Sequence, residues 1–432
     1  MNQQKSYGLP IFMMILLFGM ISFVTNLAAP MGIVVKGQFQ ASNFLGMLGN
    51  FANFAAYACM GIPAGMLLRK TGYKRTALIA IVVGFTGVGI QYLSGVVGSF
   101  GVYLMGAFVA GFSMCMLNTV VNPMLNTLGG GGNKGNQLIQ VGGTFNSFMG
   151  TLVPVLVGML VGEVTKDTAI ADVSPVMFIA LGIFALVGVV LFFVDIPEPH
   201  IEKATSVPSG TASEYSAWSF RHFVLGAIGI FVYVGVEVGI PGTLNLFLTE
   251  STAKGGIGLL PALAGSVAAT YWFLMLVGRF IGAAIGGKVS SKAMLSVASS
   301  LGLVLVTLAI YLDPNNTISM PVFQSTTSGL SFGMAQVPVN AFCLVLIGLC
   351  TSVMWGGIFN LAVEGLGKYV TAASGIFMMM VCGGGIIPLL QNKIADMGGF
   401  LPSYWVIFAG LGYLLFYAFL GSKNVNKDIP VD

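Results

Sequence analysis

The sequence predicts an all-α integral membrane protein whose twelve transmembrane helices form two six-helix pseudo-repeats. Three observations carry that prediction. Of the 432 residues, 56% are hydrophobic and only 7% charged, against roughly a quarter charged in a soluble domain. Uncharged runs recur along the whole chain, each longer than the ~20 residues a helix needs to cross the hydrocarbon core. A set of small-residue and amide motifs also occurs twice in the same order.

Hydropathy places helices near 8–34, 44–68, 76–97, 100–125, 137–162 and 175–195, and again near 220–248, 258–287, 293–312, 335–364, 370–391 and 401–422. The longest polar stretch lies between the two sets and holds Glu198, His200, Glu202, Lys203 and Pro208. The expected organisation is a six-helix half over 1–196, a cytoplasmic linker over 197–219 and a second half over 220–432. Lys5 precedes an apolar run too long for a signal-peptide core, so that run is expected to remain as the first helix.

Basic residues orient such a chain, because positively charged loops stay in the cytoplasm. With a cytoplasmic N-terminus the inner segments hold Lys5, Arg69, Lys70, Lys74, Arg75, Lys134, Lys203, Arg221, Lys288, Lys292, Lys368, Lys423 and Lys427. The outer segments hold Lys36, Lys166, Lys254 and Lys393. Thirteen against four places both termini on the cytoplasmic side of the inner or plasma membrane.

The halves echo each other. Gly61-x-x-x-Gly65 matches Gly278-x-x-x-Gly282, Asn122 with Leu128-Gly129 matches Asn360 with Leu366-Gly367, and Gly150-x-x-x-Pro154 matches Gly384-x-x-x-Pro388. The separations are 217, 238 and 234 residues. A duplicated unit explains them, and paired halves around a midplane site are a recurring transporter design.

Other classes find little support. The net charge of +4 is scattered rather than gathered, which argues against nucleic-acid binding. The five cysteines lie in apolar segments without CxxC spacing and read as packing residues, so neither a metal nor a cofactor is expected. The glycines from Gly129 to Gly132 lack the Gly-Lys-Ser/Thr ending of a phosphate loop and read as a flexible hinge. His200 and His222 stand alone, so an enzyme is not expected.

Between the second and third helices the chain reads Gly65-Met66-Leu67-Leu68-Arg69-Lys70-Thr71-Gly72-Tyr73-Lys74-Arg75. This resembles the loop signature of the major facilitator superfamily, with Arg69 where the family has an aspartate. Further stretches resemble its L-fucose/proton symporter and glucose/galactose transporter branch. These are Asn118-Thr119-Val120-Val121-Asn122-Pro123, Thr144-Phe145-Asn146-Ser147-Phe148, Tyr233-Val234-Gly235-Val236-Glu237, Ser352-Val353-Met354-Trp355 and Gly383-Gly384-Gly385-Ile386-Ile387-Pro388. The resemblance implies the major facilitator fold and transport of a sugar, with protons as a co-substrate. Two departures stand against the proton: the branch's acids on helices one and four are matched here by Ala29 and Asn118, and no Asp or Glu precedes Glu163.

Polar groups in a bilayer are costly unless paired, so each one marks a site or a helix contact. Glu237 is the one acid near the middle of a helix. It reads as a sugar-hydroxyl acceptor or as the proton-coupling site, against a carboxylate held permanently by a neighbouring donor. Arg279 reads as a gate residue paired with Glu364, or as the counter-ion of a sugar acid. Arg69 and Arg75 are the other expected gate residues. Asn26, Asn118, Asn146 and Asn360 are amides that both donate and accept hydrogen bonds, as a sugar requires, while Asn122 beside Pro123 reads as structural. Trp355, Tyr233 and Asn245 complete the expected substrate set, Trp355 offering an aromatic face to a pyranose.

The expected function is secondary active transport of a monosaccharide of the fucose, glucose or galactose type by alternating access. The expected protein works as a monomer in the lipid bilayer. Proton symport and uncoupled facilitated diffusion both remain open.

Overall fold

The computed structural model describes residues 7–39, 43–161, 169–198, 215–326 and 329–431. Most of the expected linker, including His200, Glu202 and Lys203, lies outside the described residues, as do Lys5, Glu163 and Lys166.

A backbone in hydrocarbon must satisfy its own hydrogen bonds, which leaves helices as the local solution for charge-free runs. The first set comprises α1 (Gly8–Gln38), α2 (Asn43–Val97), α3 (Phe100–Leu128), α4 (Gly132–Val161) and α5 (Ile170–Phe193). The second comprises α6 (Arg221–Thr249), α7 (Pro261–Ile285), α8 (Ser291–Tyr311), α9 (Val339–Thr351), α10 (Met354–Val363), α11 (Val370–Met379), α12 (Gly383–Gly398), α13 (Phe400–Ser403) and α14 (Trp405–Phe416).

At 55 residues α2 is about twice the length of one crossing. It breaks at Gly72, where φ is 85° and ψ 173°, into two antiparallel crossings joined by the basic loop. Glu198 caps the second of these, its carboxylate accepting from the backbone N–H groups of Tyr73 at 2.8 Å and Lys74 at 3.1 Å. A side chain at Gly72 would meet that carboxylate. The pairs α9–α10, α11–α12 and α13–α14 each make one crossing interrupted by a turn, so with α2 counted as two the helices of the described residues make twelve crossings, six before the linker and six after it.

The all-α expectation needs one addition. Between α8 and α9 the chain forms an antiparallel hairpin of β1 (Thr317–Thr326) and β2 (Gly329–Pro338), a segment that hydropathy reads only as a connection. Because α8 starts beside Lys288 and Lys292, its other end and the hairpin lie on the face opposite the basic loops.

The two halves meet most closely at the basic-loop face. There α2 packs on α11 through glycines: a Cβ on Gly65 would stand 2.9 Å from Gly375 Cα, and one on Gly61 would overlap Met379. Small residues at such crossings let helix backbones approach, which in a bilayer supplies the packing energy that water would otherwise provide. On the same face α4 packs on α7, and Gln137 Nε2 donates to Ala283 O at 3.0 Å.

Candidate functional site

A cavity of about 430 Å³ lies between the halves, within the usual range for small-molecule sites. Helical periodicity explains who lines it. On α4 the residues Gln140, Gly143, Asn146, Ser147 and Gly150 recur every three or four positions and share one face, as do Ala269, Trp272, Met275 and Arg279 on α7. Gln137, on the basic-loop side of that α4 face, already bonds α7, so the cavity begins where the closed contact ends.

Helix breaks place the second half's groups. At the turn Ser352–Val353 between α9 and α10 the Val353 carbonyl accepts from Gln140 Nε2 at 2.9 Å across the interface, in addition to the Gly357 N–H of its own helix at 3.3 Å. Non-helical backbone is tolerated in a membrane where such a partner exists. The same turn presents Trp355, whose Nε1 donates to Asn122 Oδ1 at 2.9 Å. Its ring lies edge-on to Tyr233 and Phe377, at 6.3 and 6.0 Å between centroids.

One charged group bridges the cavity. Arg279 Nη2 stands 3.2 Å from Glu237 Oε1, both side chains 12% exposed. Arg279 Nη1 crosses to the first half, donating to Ser147 Oγ at 2.7 Å and Gly143 O at 3.3 Å. Tyr233 donates its hydroxyl to the same Glu237 oxygen at 2.8 Å. The pair leaves the described lining neutral.

The first half contributes amides. Asn118 Nδ2 donates to Tyr57 OH at 2.8 Å, Asn146 Nδ2 to Phe18 O at 2.7 Å, and Asn26 Nδ2 to Ser22 O at 2.8 Å. These bonds lock the amide rotamers, and all three residues line the cavity.

Several expected positions differ. Arg279 is paired with Glu237 and not with Glu364, which is exposed at the end of α10, its backbone carbonyl bonded to His222 Nε2. Asn245 lies two turns beyond Glu237, exposed and away from the cavity. Asn360 sits below it, accepting from Asn126 Nδ2 at 2.6 Å and donating to Ser291 Oγ at 2.9 Å, so it ties the halves together. Tyr233 is fully buried behind Glu237. Arg69 and Arg75 are exposed without an acidic partner among the described residues, while neighbouring Lys74 makes a loose pair with Asp195 at 3.9 Å. Gln140, Ser147, Tyr57, Trp272 and Phe323 line the cavity without having been singled out, since neutral polar and aromatic residues carry no spacing signal of their own.

Known proteins share this architecture. The chain is 29% identical over 426 residues to a protein of Brucella abortus biovar 1 (strain 9-941) named glucose/galactose transporter, covering 98% of this chain and 96% of that one. It is 22% identical to the L-fucose-proton symporter of Escherichia coli (strain K12), covering 93% and 90%. The crystal structure of FucP, a transporter solved in the outward conformation, superposes with a TM-score of 0.80 at 19% identity over 97% of this chain and 100% of that one. The Major Facilitator Superfamily model itself matches residues 11–388. Twelve crossings in two repeats around one interfacial cavity, together with that match, establish that the chain is a multi-pass membrane transporter and belongs to the Major Facilitator Superfamily.

Proposed function

We propose that the protein moves a neutral monosaccharide of the fucose, glucose or galactose type across the cytoplasmic membrane by alternating access, coupled to protons through Glu237. The observation that carries this reading is the Glu237–Arg279 pair, which sits in the cavity and reaches Ser147 in the opposite half. It cancels the charge of the described lining and leaves amides and aromatic faces to recognise a solute, which suits a polyhydroxy ring better than a sugar acid. The names of the Brucella and Escherichia relatives support the same class.

The Asn26, Asn118 and Asn146 amides hydrogen-bond hydroxyls, and Trp355 packs against the apolar face of the ring. A proton on Glu237 removes its attraction for Arg279, which frees the guanidinium from the contact that spans the halves. The halves over 1–196 and 220–432 then rock about the linker at 197–219, with both termini cytoplasmic and the monomer as the working unit.

Uncoupled facilitation is the second reading. It is favoured by the same geometry, since Glu237 already has two firm partners and no acid precedes Glu163. Uptake into proteoliposomes with and without an imposed pH gradient separates the two. Gradient-driven accumulation supports symport, and equilibration that ignores the gradient sinks it. A competition screen across fucose, glucose, galactose, N-acetylated and acidic sugars names the substrate, and no inhibition by any neutral monosaccharide would overturn the sugar reading.

A further inference from the structure

The β1–β2 hairpin brings an aromatic side chain into the cavity from outside the helix bundle. Phe323 on β1 lines the cavity, although it belongs to the connection between two crossings. In the register Phe323 stands directly opposite Phe332, their rings 5.5 Å apart at 61°. Both rings rest on Phe273 of α7, Phe323 stacking at 5.0 Å and 14° and Phe332 meeting it edge-on at 5.1 Å and 75°. The Phe323 backbone N–H donates to Thr270 Oγ1 at 2.8 Å, one turn before Phe273.

The opposite face of the hairpin is anchored. Met320, Val322, Ala335 and Val337 are buried, with alternate residues Pro321, Met334 and Gln336 exposed, as strand alternation requires. The ring is therefore held by a strand pair, a backbone hydrogen bond and two aromatic neighbours, a preorganised wall rather than a mobile loop side chain.

Depth along the cavity assigns the ring its task. Trp355 lies at the basic-loop end, bonded to Asn122 one turn above the Asn126–Asn360 contact. Phe323 arrives from the opposite face. The amides of α1, α3 and α4 line the same cavity.

We propose that Phe323 is a specificity-determining residue, an aromatic roof that packs on the C–H face of the solute opposite Trp355 and selects among sugars by what they present there. The inference rests on the sugar-transport reading. A roof without hydrogen-bonding capacity favours a C–H or methyl substituent and penalises a hydroxyl that it strips of water.

The test is competitive uptake of fucose, galactose and glucose by the purified, reconstituted protein and by three variants. Phe323→Ala and Phe323→Leu, which keeps apolar volume but removes the ring, are expected to raise KM roughly tenfold with Vmax within about twofold, and to shrink the preference among the three sugars. Gln336→Ala, exposed on the same hairpin, is expected to match the wild type in both. Unchanged KM and unchanged preference in both Phe323 variants would overturn the proposal. If the wild type takes up no monosaccharide, the transport reading fails instead. The roof is then tested by Phe323→Cys in a protein whose five native cysteines are replaced by serine. Modification by a membrane-impermeant maleimide supports Phe323 as a wall of the open cavity, and a cysteine that resists the reagent overturns it.

Discussion

Arg279 holds Glu237 at 3.2 Å with one nitrogen and Ser147 at 2.7 Å with another, so a single guanidinium belongs at once to the charge balance of the second half and to its contact with the first. Glu237→Gln separates these roles. The amide can still accept from Tyr233 and Arg279 but cannot exchange a proton. Accumulation driven by a pH gradient is expected to vanish while exchange of labelled for unlabelled solute persists. Accumulation at the wild-type level would remove Glu237 from coupling. Arg279→Ala is expected to be the harsher change, because it strands a buried carboxylate at a cost of about 3–5 kcal/mol, read as a lower Tm in detergent.

The cavity amides are expected to act on affinity. Asn146→Ala should raise KM about fivefold to tenfold, the equivalent of about 1–1.5 kcal/mol for one hydrogen bond. Asn245→Ala, on the same helix as Glu237 but exposed beyond it, should leave KM unchanged. A KM shift for Asn245 equal to that for Asn146 would contradict the cavity as described.

Trp355 combines a ring at the cavity with a hydrogen bond across the halves. Trp355→Phe keeps most of the ring and removes the N–H donor to Asn122, a loss of about 1 kcal/mol from the closed contact. Faster opening toward the basic-loop face with a modest change in KM is expected. Trp355→Ala should instead raise KM by more than tenfold, as the aromatic face is lost. Equal KM values for the two variants would show that the ring does not touch the solute.

The closed face depends on glycine. A Cβ at Gly61 would overlap the backbone nitrogen of Met379, so Gly61→Ala cannot be absorbed by rotating a side chain. The variant is expected to populate the state open toward the basic loops, tenfold more for each 1.4 kcal/mol of strain. Cysteines placed on α11 near Met379 should then react faster from that side. Unchanged reactivity would mean that the helices yield elsewhere.

Glu198 is expected to matter more to the basic loop than Arg69 or Arg75. It accepts from two backbone N–H groups at the start of the second crossing of α2, whereas both arginines are exposed. Glu198→Ala should lower stability by about 1–3 kcal/mol, and Arg69→Ala by less than 0.5 kcal/mol as an exposed change. Thermal unfolding in detergent reads both.

Hydropathy and motif repetition were enough to read the number of crossings, their approximate bounds and the duplicated architecture, because a bilayer imposes length and apolarity on each segment independently of its neighbours. The residues that matter at the interface were also visible as types, since Glu237, Arg279, Asn118, Asn146 and Trp355 stand out against an apolar background. Which of them meet was not. Arg279 sits 42 residues from Glu237 and 85 from Glu364, and only the rotation of α6 against α7 selects the first. Asn360 echoes Asn122 in sequence yet bonds Asn126, because the halves close face to face and bring the ends of α3 and α10 together. The hairpin and Phe323 escaped notice for a related reason. Its ten-residue strands fall in a connection that hydropathy reads as neither helix nor strand, and only the packing of that connection over α7 turns one phenylalanine into a wall of the cavity.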